Sequence, residues 1–281
     1  MFAALPRLGV GISCEFAGGP RGSGLDAVAL REAWPDLIHF LEVGADVARG
    51  LDPHMQRWAE AGWPATYHFL DLNLAEADDL DEDWLRATLE MADRLGAHWL
   101  CGDAGYWHLG RRERGHELLL PPILCAPAAE EMARAVGELQ ERSGRLVLPE
   151  NPPAAAYVGP LHLLDFFGRV VEAADSGMLL DAAHLAVFQR HRGHDPLDGL
   201  ADFPLERVVE VHVAGGVVRE HRGYPWVEDT HGPEPLDDTW QITEWVVEHA
   251  SNLKALVYEC EHNAAPEVRA NFERLNALFA P

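Results

Sequence analysis

The sequence predicts an α/β fold, a closed (β/α)8 barrel of the TIM type. Three observations predict it. Eight short apolar runs each end in a polar residue, helical stretches lie between the runs, and the 281 residues suit the ~250 of one such barrel. In such a barrel the C-terminal strand ends converge on one mouth.

The runs read LGVGISCE, LIHFLEVG, ATYHFLDL, AHWLCGDA, RLVLPEN, GMLLDAAH, VVEVHVAGG and ALVYECEH. Their polar ends are Glu15, Glu42, His68, Asp103, Glu150, Asp181, His212 and Glu259. Successive ends stand 27, 26, 35, 47, 31, 31 and 47 residues apart, and each gap suits one strand–loop–helix unit. Helical periodicity marks residues 82–95, 128–142, 161–174, 238–249 and 266–278, with Asp81 and Asp238 as N-caps. The two longest gaps leave room for extended loops over the mouth, GYWHLGRRERGHELLLPPILCAP and GGVVREHRGYPWVEDTHGPEPLDD. Residues 17–24 (AGGPRGSG) read as a flexible loop after the first run. No Gly/Ser/Pro-rich linker divides the chain, so residues 1–281 are expected to form a single barrel domain.

Composition excludes several functions. A formal charge of −24 repels phosphate backbones and anionic membranes, which argues against nucleic-acid binding. Much of that charge reads as solvated helix face, as in AEADDLDEDW. No stretch approaches the ~20 apolar residues of a membrane span. Pro6 and Arg7 interrupt MFAALPRLGVG, which reads as a first strand rather than a signal peptide, so a cytoplasmic location is the default. Cys14, Cys101, Cys125 and Cys260 show no C-x-x-C spacing and read as buried thiols.

Strand alternation points the polar residues inward. Residues i and i+2 share a face. Glu259 and Glu261 therefore point together, and His68 and His212 oppose the apolar residues that flank them. Asp181 and His184 both reach the mouth if the chain bends after run six. In extended backbone Asp229 and His231 clamp one ion from the same side. Asp103, Glu150, Asp181, Asp229 and Glu259 would then crowd five carboxylates into one concavity. Without cations, repulsion and desolvation would leave several of them protonated. With His68, His184, His212 and His231 alongside, the nine candidates exceed what a single ion needs and argue for a multinuclear site. Oxygen and imidazole donors suit Fe, Mn or Zn better than Mg or Ca.

A lone strand-end histidine is ordinarily a hydrogen-bonded core residue, and the coincidence of acids and histidines at corresponding ends is what argues otherwise. The default surface or structural set is His39, His54, His98, His108, His116, His162, His191, His194, His221, His249 and His262. Glu15 and Glu42 read equally as barrel-floor residues paired with arginines.

The segments HFLDLNL, LPENPP, LLDAAHLAVF, VVEVHVAGG, EDTHGPEP and VYECEH resemble, in that order, the motifs of the multinuclear non-heme iron-dependent oxidases of the methanobactin-biosynthesis type. The resemblance runs from about residue 7 to 277. It implies a barrel of the xylose-isomerase-like kind with two or three Fe ions in mixed Fe(II)/Fe(III) states and O2 as co-substrate. It implies a ribosomally made precursor peptide as substrate, modified at a cysteine, and often a separate peptide-recognition protein. By resemblance His68, Glu150, Asp181, His184, His212, Asp229, His231 and Glu259 match metal ligands, and Asn151 neighbours the bridging glutamate. Three departures mark a divergent member. Asp103 is followed by Ala104 where the family has a histidine, Gly216 replaces a second strand-seven histidine, and Cys260 lies between Glu259 and Glu261. Asp103 is then a substitute ligand, and Asn151, Glu42 and Glu261 are second-sphere or substrate-contact candidates.

Three rival readings remain at this level. A divalent-metal sugar isomerase or epimerase would need cations for its substrate, which Arg111, Arg112 and Arg114 could supply. A metal-dependent AP endonuclease shares the architecture but not the charge. A catalytically inactive peptide-binding barrel is the third.

Overall fold

The computed structural model describes residues 2–15, 25–110, 114 and 118–280. Residues 17–24, Arg111, Arg112 and His116 lie outside the described residues. Eight parallel strands form the barrel: β1 (Gly9–Glu15), β2 (Phe40–Ala45), β3 (Ala65–Phe69), β4 (Leu100–Asp103), β5 (Val147–Glu150), β6 (Met178–Asp181), β7 (Val208–His221) and β9 (Ala255–Glu259). They pair in chain order, and β1–β9, β9–β7 and β7–β6 pairings close the ring. Register aligns the polar ends: Asp103 is level with Glu150, and Asp181 with His212.

Among the described residues, eight helices surround the ring: α1 (Ala27–Ala33), α2 (Pro53–Glu60), α3 (Glu82–Leu95), α4 (Ala126–Ser143), α5 (Leu163–Ala173), α6 (Ala182–Arg192), α7 (Asp237–His249) and α8 (Ala265–Leu278). Asp81 caps α3 by accepting from the Trp84 N–H. Asp238 is not a cap, because α7 starts one residue earlier after Leu236, and Asp238 pairs with Arg190 instead. Among the described residues, no helix is long and apolar enough to cross a membrane.

Alternation splits the core in two. Outward residues such as Ile12, Tyr67, Val211, Val213 and Tyr258 pack against the helices. Inward residues Phe40, Trp99, Cys101, Leu148, Leu179 and Val257 plug the barrel below the mouth. The polar side chains of the strand ends lie above this plug, and Glu210, level with Leu179, is an inward polar residue at its height.

The loop expected after the seventh run is instead a β-hairpin. β7 runs past the barrel rim and pairs antiparallel with β8 (Tyr224–Gly232). The pairing slips between Gly215 and Gly216: Gly216 faces Asp229, whereas Gly215 faces Gly232. Thr230 and His231 are the surplus residues, and His231 takes φ +48. Asp229 and His231 thus sit on a bulge rather than on extended backbone. Bulges bend a strand and redirect side chains. Gly215 is required here, because a Cβ would lie 2.0 Å from the Gly232 carbonyl oxygen. Gly215→Val is expected to push β8 off the rim and lower unfolding stability by about 1–3 kcal/mol, measured by denaturant titration of the metal-free protein.

Candidate metal centre

Each strand end delivers its side chain by a local device. The bare Cα of Gly44 makes room for Glu15, since a Cβ there would lie 2.5 Å from the Glu15 side chain. The helix α6 begins directly after β6 with no loop. Asp181 caps it, accepting from the His184 N–H at 2.5 Å, and this brings two candidates to the mouth on one turn of chain. Asn151 locks that corner: its side chain accepts from the Asp181 N–H at 3.0 Å and donates to the Asp181 carbonyl at 2.9 Å.

The nine candidate residues form one continuous cluster. His68 Nε2 lies 2.8 Å from Glu150 Oε2 and 4.0 Å from Asp103 Oδ2. His184 Nε2 lies 3.0 Å from Asp229 Oδ2 and 3.7 Å from Asp181 Oδ2. His212 Nδ1 lies 3.4 Å from Glu150, 3.3 Å from Glu259 and 3.8 Å from Asp181. His231 Nε2 lies 3.5 Å from Asp229 and 3.7 Å from Glu259. Among the described residues, no arginine or lysine is ion-paired with any of the five carboxylates. All nine are buried except Asp229 and His231, which are half-buried at the rim.

The other candidates stand behind the histidines. Glu261 Oε2 accepts from His231 Nδ1 at 2.9 Å, and the Glu261 carboxylate also accepts from the Ser13 hydroxyl. The Asn151 carbonyl lies 2.9 Å from His184 Nδ1. Glu42 Oε1 lies 2.9 Å from His212 Nε2. A partner at one ring nitrogen turns the other toward the pocket, which is how imidazole ligands are oriented.

Four groups of candidate ligand atoms lie within 4.8 Å of one another: His68–Asp103–Glu150, Glu150–Asp181–His184, Asp229–His231–Glu259 and Glu42–His212–Glu259. Glu150 and Glu259 each serve two groups. Among the described residues, several of these atoms are buried without a hydrogen-bond partner, namely His68 Nδ1, Asp103 Oδ1, Asp181 Oδ2, Glu259 Oε2 and both His212 nitrogens. Orphaned buried polar atoms cost ~1–3 kcal/mol each, so a cluster of them with mixed oxygen and imidazole donors fits a bound cation.

Electrostatics agrees. Burial pushes the Asp103 and Asp181 carboxyls well above the usual range, with neighbouring carboxylates adding to the effect. Burial raises Glu15 to about 7. Burial opposes protonation of His68, but its bond to Glu150 and the nearby Glu42 outweigh it and raise the imidazole to about 10. His184, His212 and His231 also rise well above their ordinary value, as surrounding carboxylates overcome burial. Glu150 and Asp229 fall, because their histidine partners overcome the upward push of burial. Without metal, protons are the counter-charge of this pocket.

Strand parity carried one step further finds residues that the reading of strand ends missed. Ser13, Cys101 and Glu210 lie two residues before Glu15, Asp103 and His212, and all three are buried. Ala104, at the family's strand-four histidine position, is fully buried in the outer apolar core and offers no ligand. Gly216 leaves little room, with Leu236 atoms 3.3 Å from a built Cβ. The histidines read as structural include His108, buried between Asp79 and the Gly110 carbonyl. Arg114 is engaged by Asp79 and Asp81 and is not a loose substrate anchor.

Comparison with known proteins places this geometry in context. A family model described as RiPP precursor modification enzyme MbnB/TglH/ChrH matches residues 21–278. The UPF0276 protein AM1_3026 of Acaryochloris marina (strain MBIC 11017) is 26% identical over 226 residues, covering 78% of this chain and 79% of that protein. The TTHB071 protein from Thermus thermophilus, solved after soaking with ZnCl2, superposes with TM-score 0.55 at 20% identity, over 96% of this chain and 97% of that one. A xylose isomerase domain containing protein (stm4435) from Salmonella typhimurium LT2 superposes with TM-score 0.58 at 13% identity, over 99% of both chains. These two structures bear out the xylose-isomerase-like TIM barrel.

Because the raised histidines must lose protons to ligate, metal affinity is expected to rise with pH through the neutral range. Anaerobic calorimetric titration of the metal-free protein with Fe(II), in two buffers of different ionisation enthalpy, should show release of on the order of one to two protons per ion. Identical heats in both buffers would contradict the protonated pocket.

Proposed function

The chain belongs to the family of RiPP precursor modification enzymes MbnB/TglH/ChrH, and from that premise we propose that it is an iron- and O2-dependent oxidase that modifies a cysteine of a ribosomally made precursor peptide. The observation that carries the reading is the meeting of five carboxylates and four imidazoles with no arginine or lysine paired to them among the described residues. Two or three iron ions neutralise such a set, whereas one ion needs only three or four ligands.

In this reading His68, Asp103 and Glu150 hold one ion, and Glu150, Asp181 and His184 a second. Asp229, His231 and Glu259, with His212 beside them, offer a third position. Iron bound there supplies redox chemistry with dioxygen and Lewis acidity toward the substrate. The protein's own work is positioning. Asn151 and Glu261 fix the rings of His184 and His231 by holding their far nitrogens, and Glu42 lies against the far nitrogen of His212. The apolar plug beneath the pocket keeps water out from below. The half-buried Asp229 and His231 mark the side from which a peptide reaches the cluster.

The same reading assigns the chemistry to one barrel domain over residues 1–281, acting in the cytoplasm, with a separate recognition protein delivering the peptide. The sugar isomerase alternative loses support from Arg114, which is tied to Asp79 and Asp81. Nucleic acid is disfavoured by the charge of −24.

The test is anaerobic purification with Fe(II), metal analysis, and oxygen uptake with a cysteine-containing peptide. Wild type should carry more than one iron and consume oxygen only with peptide. Glu150→Ala and Asp181→Ala should lose at least one iron and all uptake, and full iron with full uptake in either variant would overturn the assignment. Glu261→Gln should keep the fold while weakening iron binding ~10–100-fold, the usual effect of removing a ligand-orienting partner.

A further inference from the structure

Beneath the mouth lies a second cluster, of which the proposed iron site uses only Glu42, set against His212. Glu42, Cys101 and Glu210 each place one candidate ligand atom within 4.8 Å of the others, and all three are buried. The Cys101 thiol donates to Glu42 Oε2 at 3.2 Å. Trp99 Nε1 donates to Glu210 Oε2 at 2.7 Å, while Glu210 Oε1 has no partner among the described residues although the residue is fully buried. An unpartnered carboxylate oxygen deep in a barrel is costly unless something meets it.

The geometry points to a separate binding site for a thiophilic divalent transition ion, formed by Glu42, Cys101 and Glu210. Ligation converts the Cys101 thiol to a thiolate, with its proton leaving to solvent. The two carboxylates and the thiolate then more than balance the ion's two positive charges. Thiolate ligation favours Zn(II), Co(II) or Fe(II) over Mg(II) or Ca(II). Cys101 is the one cysteine suited to this role. Cys14 and Cys260 point outward into the strand–helix core, and Cys125 precedes α4. Glu42 is the link between levels: its Oε2 faces Cys101 and its Oε1 faces His212. The site differs in donor chemistry from the mouth, where all nine candidates are oxygen or imidazole ligands.

That difference provides the test. Metal-free full-length protein is titrated with Co(II) under anaerobic conditions and followed by near-ultraviolet absorption and metal analysis. Wild type should develop a thiolate-to-cobalt charge-transfer band. Asp229→Ala, which alters only the mouth, should keep the band while binding less metal. Cys101→Ala should lose the band and about one equivalent of Co(II) per chain. Cys101→Ser and Glu210→Gln, close in volume to the native residues, should lose or weaken it with unchanged circular dichroism. No band in wild type, or an unchanged band in Cys101→Ala, overturns the site. Because the band reports thiolate only, failure of the iron oxidase reading would appear separately, as loss of mouth stoichiometry with the band intact.

Discussion

Mutual repulsion among buried carboxylates is the constraint on which the rest of this molecule turns. Closing a parallel sheet brings residues from position 15 to position 261 onto one inner surface. Asp103, Glu150, Asp181, Asp229 and Glu259 then share a space too small to solvate five negative charges. The histidines answer part of that charge by taking protons, and Asp103 and Asp181 answer the rest by keeping theirs. Such an arrangement gains nothing as a core. A polar layer of this kind costs stability against leucine or valine, and its retention suggests a ligand that repays the cost.

The barrel supplies rigidity and the hairpin supplies reach. Six of the nine candidate residues sit on barrel strands, where register fixes their height, and His184 follows in the first turn of α6. Asp229 and His231 come from β8, outside the ring. They reach the pocket because the bulge opposite Gly215 turns the strand inward and His231 accepts a left-handed backbone. Backbone strain at a non-glycine residue costs ~1–3 kcal/mol and tends to gather at functional sites. The hairpin is steadied by His191, whose ring nitrogen lies 3.4 Å from the Val227 N–H and carbonyl, and by the Thr230 hydroxyl donating to the Gly215 carbonyl.

Much of this was legible in the residues. Eight apolar runs with polar ends, at gaps suited to one strand and one helix each, translate directly into the closed ring, because period-two alternation and strand length are local properties. What local reasoning could not supply was the path of the chain after the seventh strand. VVREHRGYPWVEDTHG lacks the strict alternation of a strand, and its pairing depends on the barrel rim that anchors both arms. Of the three helices left unread, α1 and α2 have only seven and eight residues, too few for the helical period to stand out, and α6 is buried along residues 182–189, which removes the amphipathic signal. Cys101 reads from sequence only as a buried thiol and Glu210 carries no signal of its own, because both lie two residues inside the strand ends, although the same alternation continues inward to both.

The distribution of donors along the chain has a temporal meaning. The candidate donors run from His68 on the third strand to Glu259 on the last, and the ring closes only through β1–β9 and β9–β7 pairing. A ribosome-bound fragment that lacks its final segment therefore has neither a closed cylinder nor a complete set of ligands. The full ligand set exists only once β9 has joined the ring, so a cation that needs all of it meets a closed barrel and not a partly made sheet.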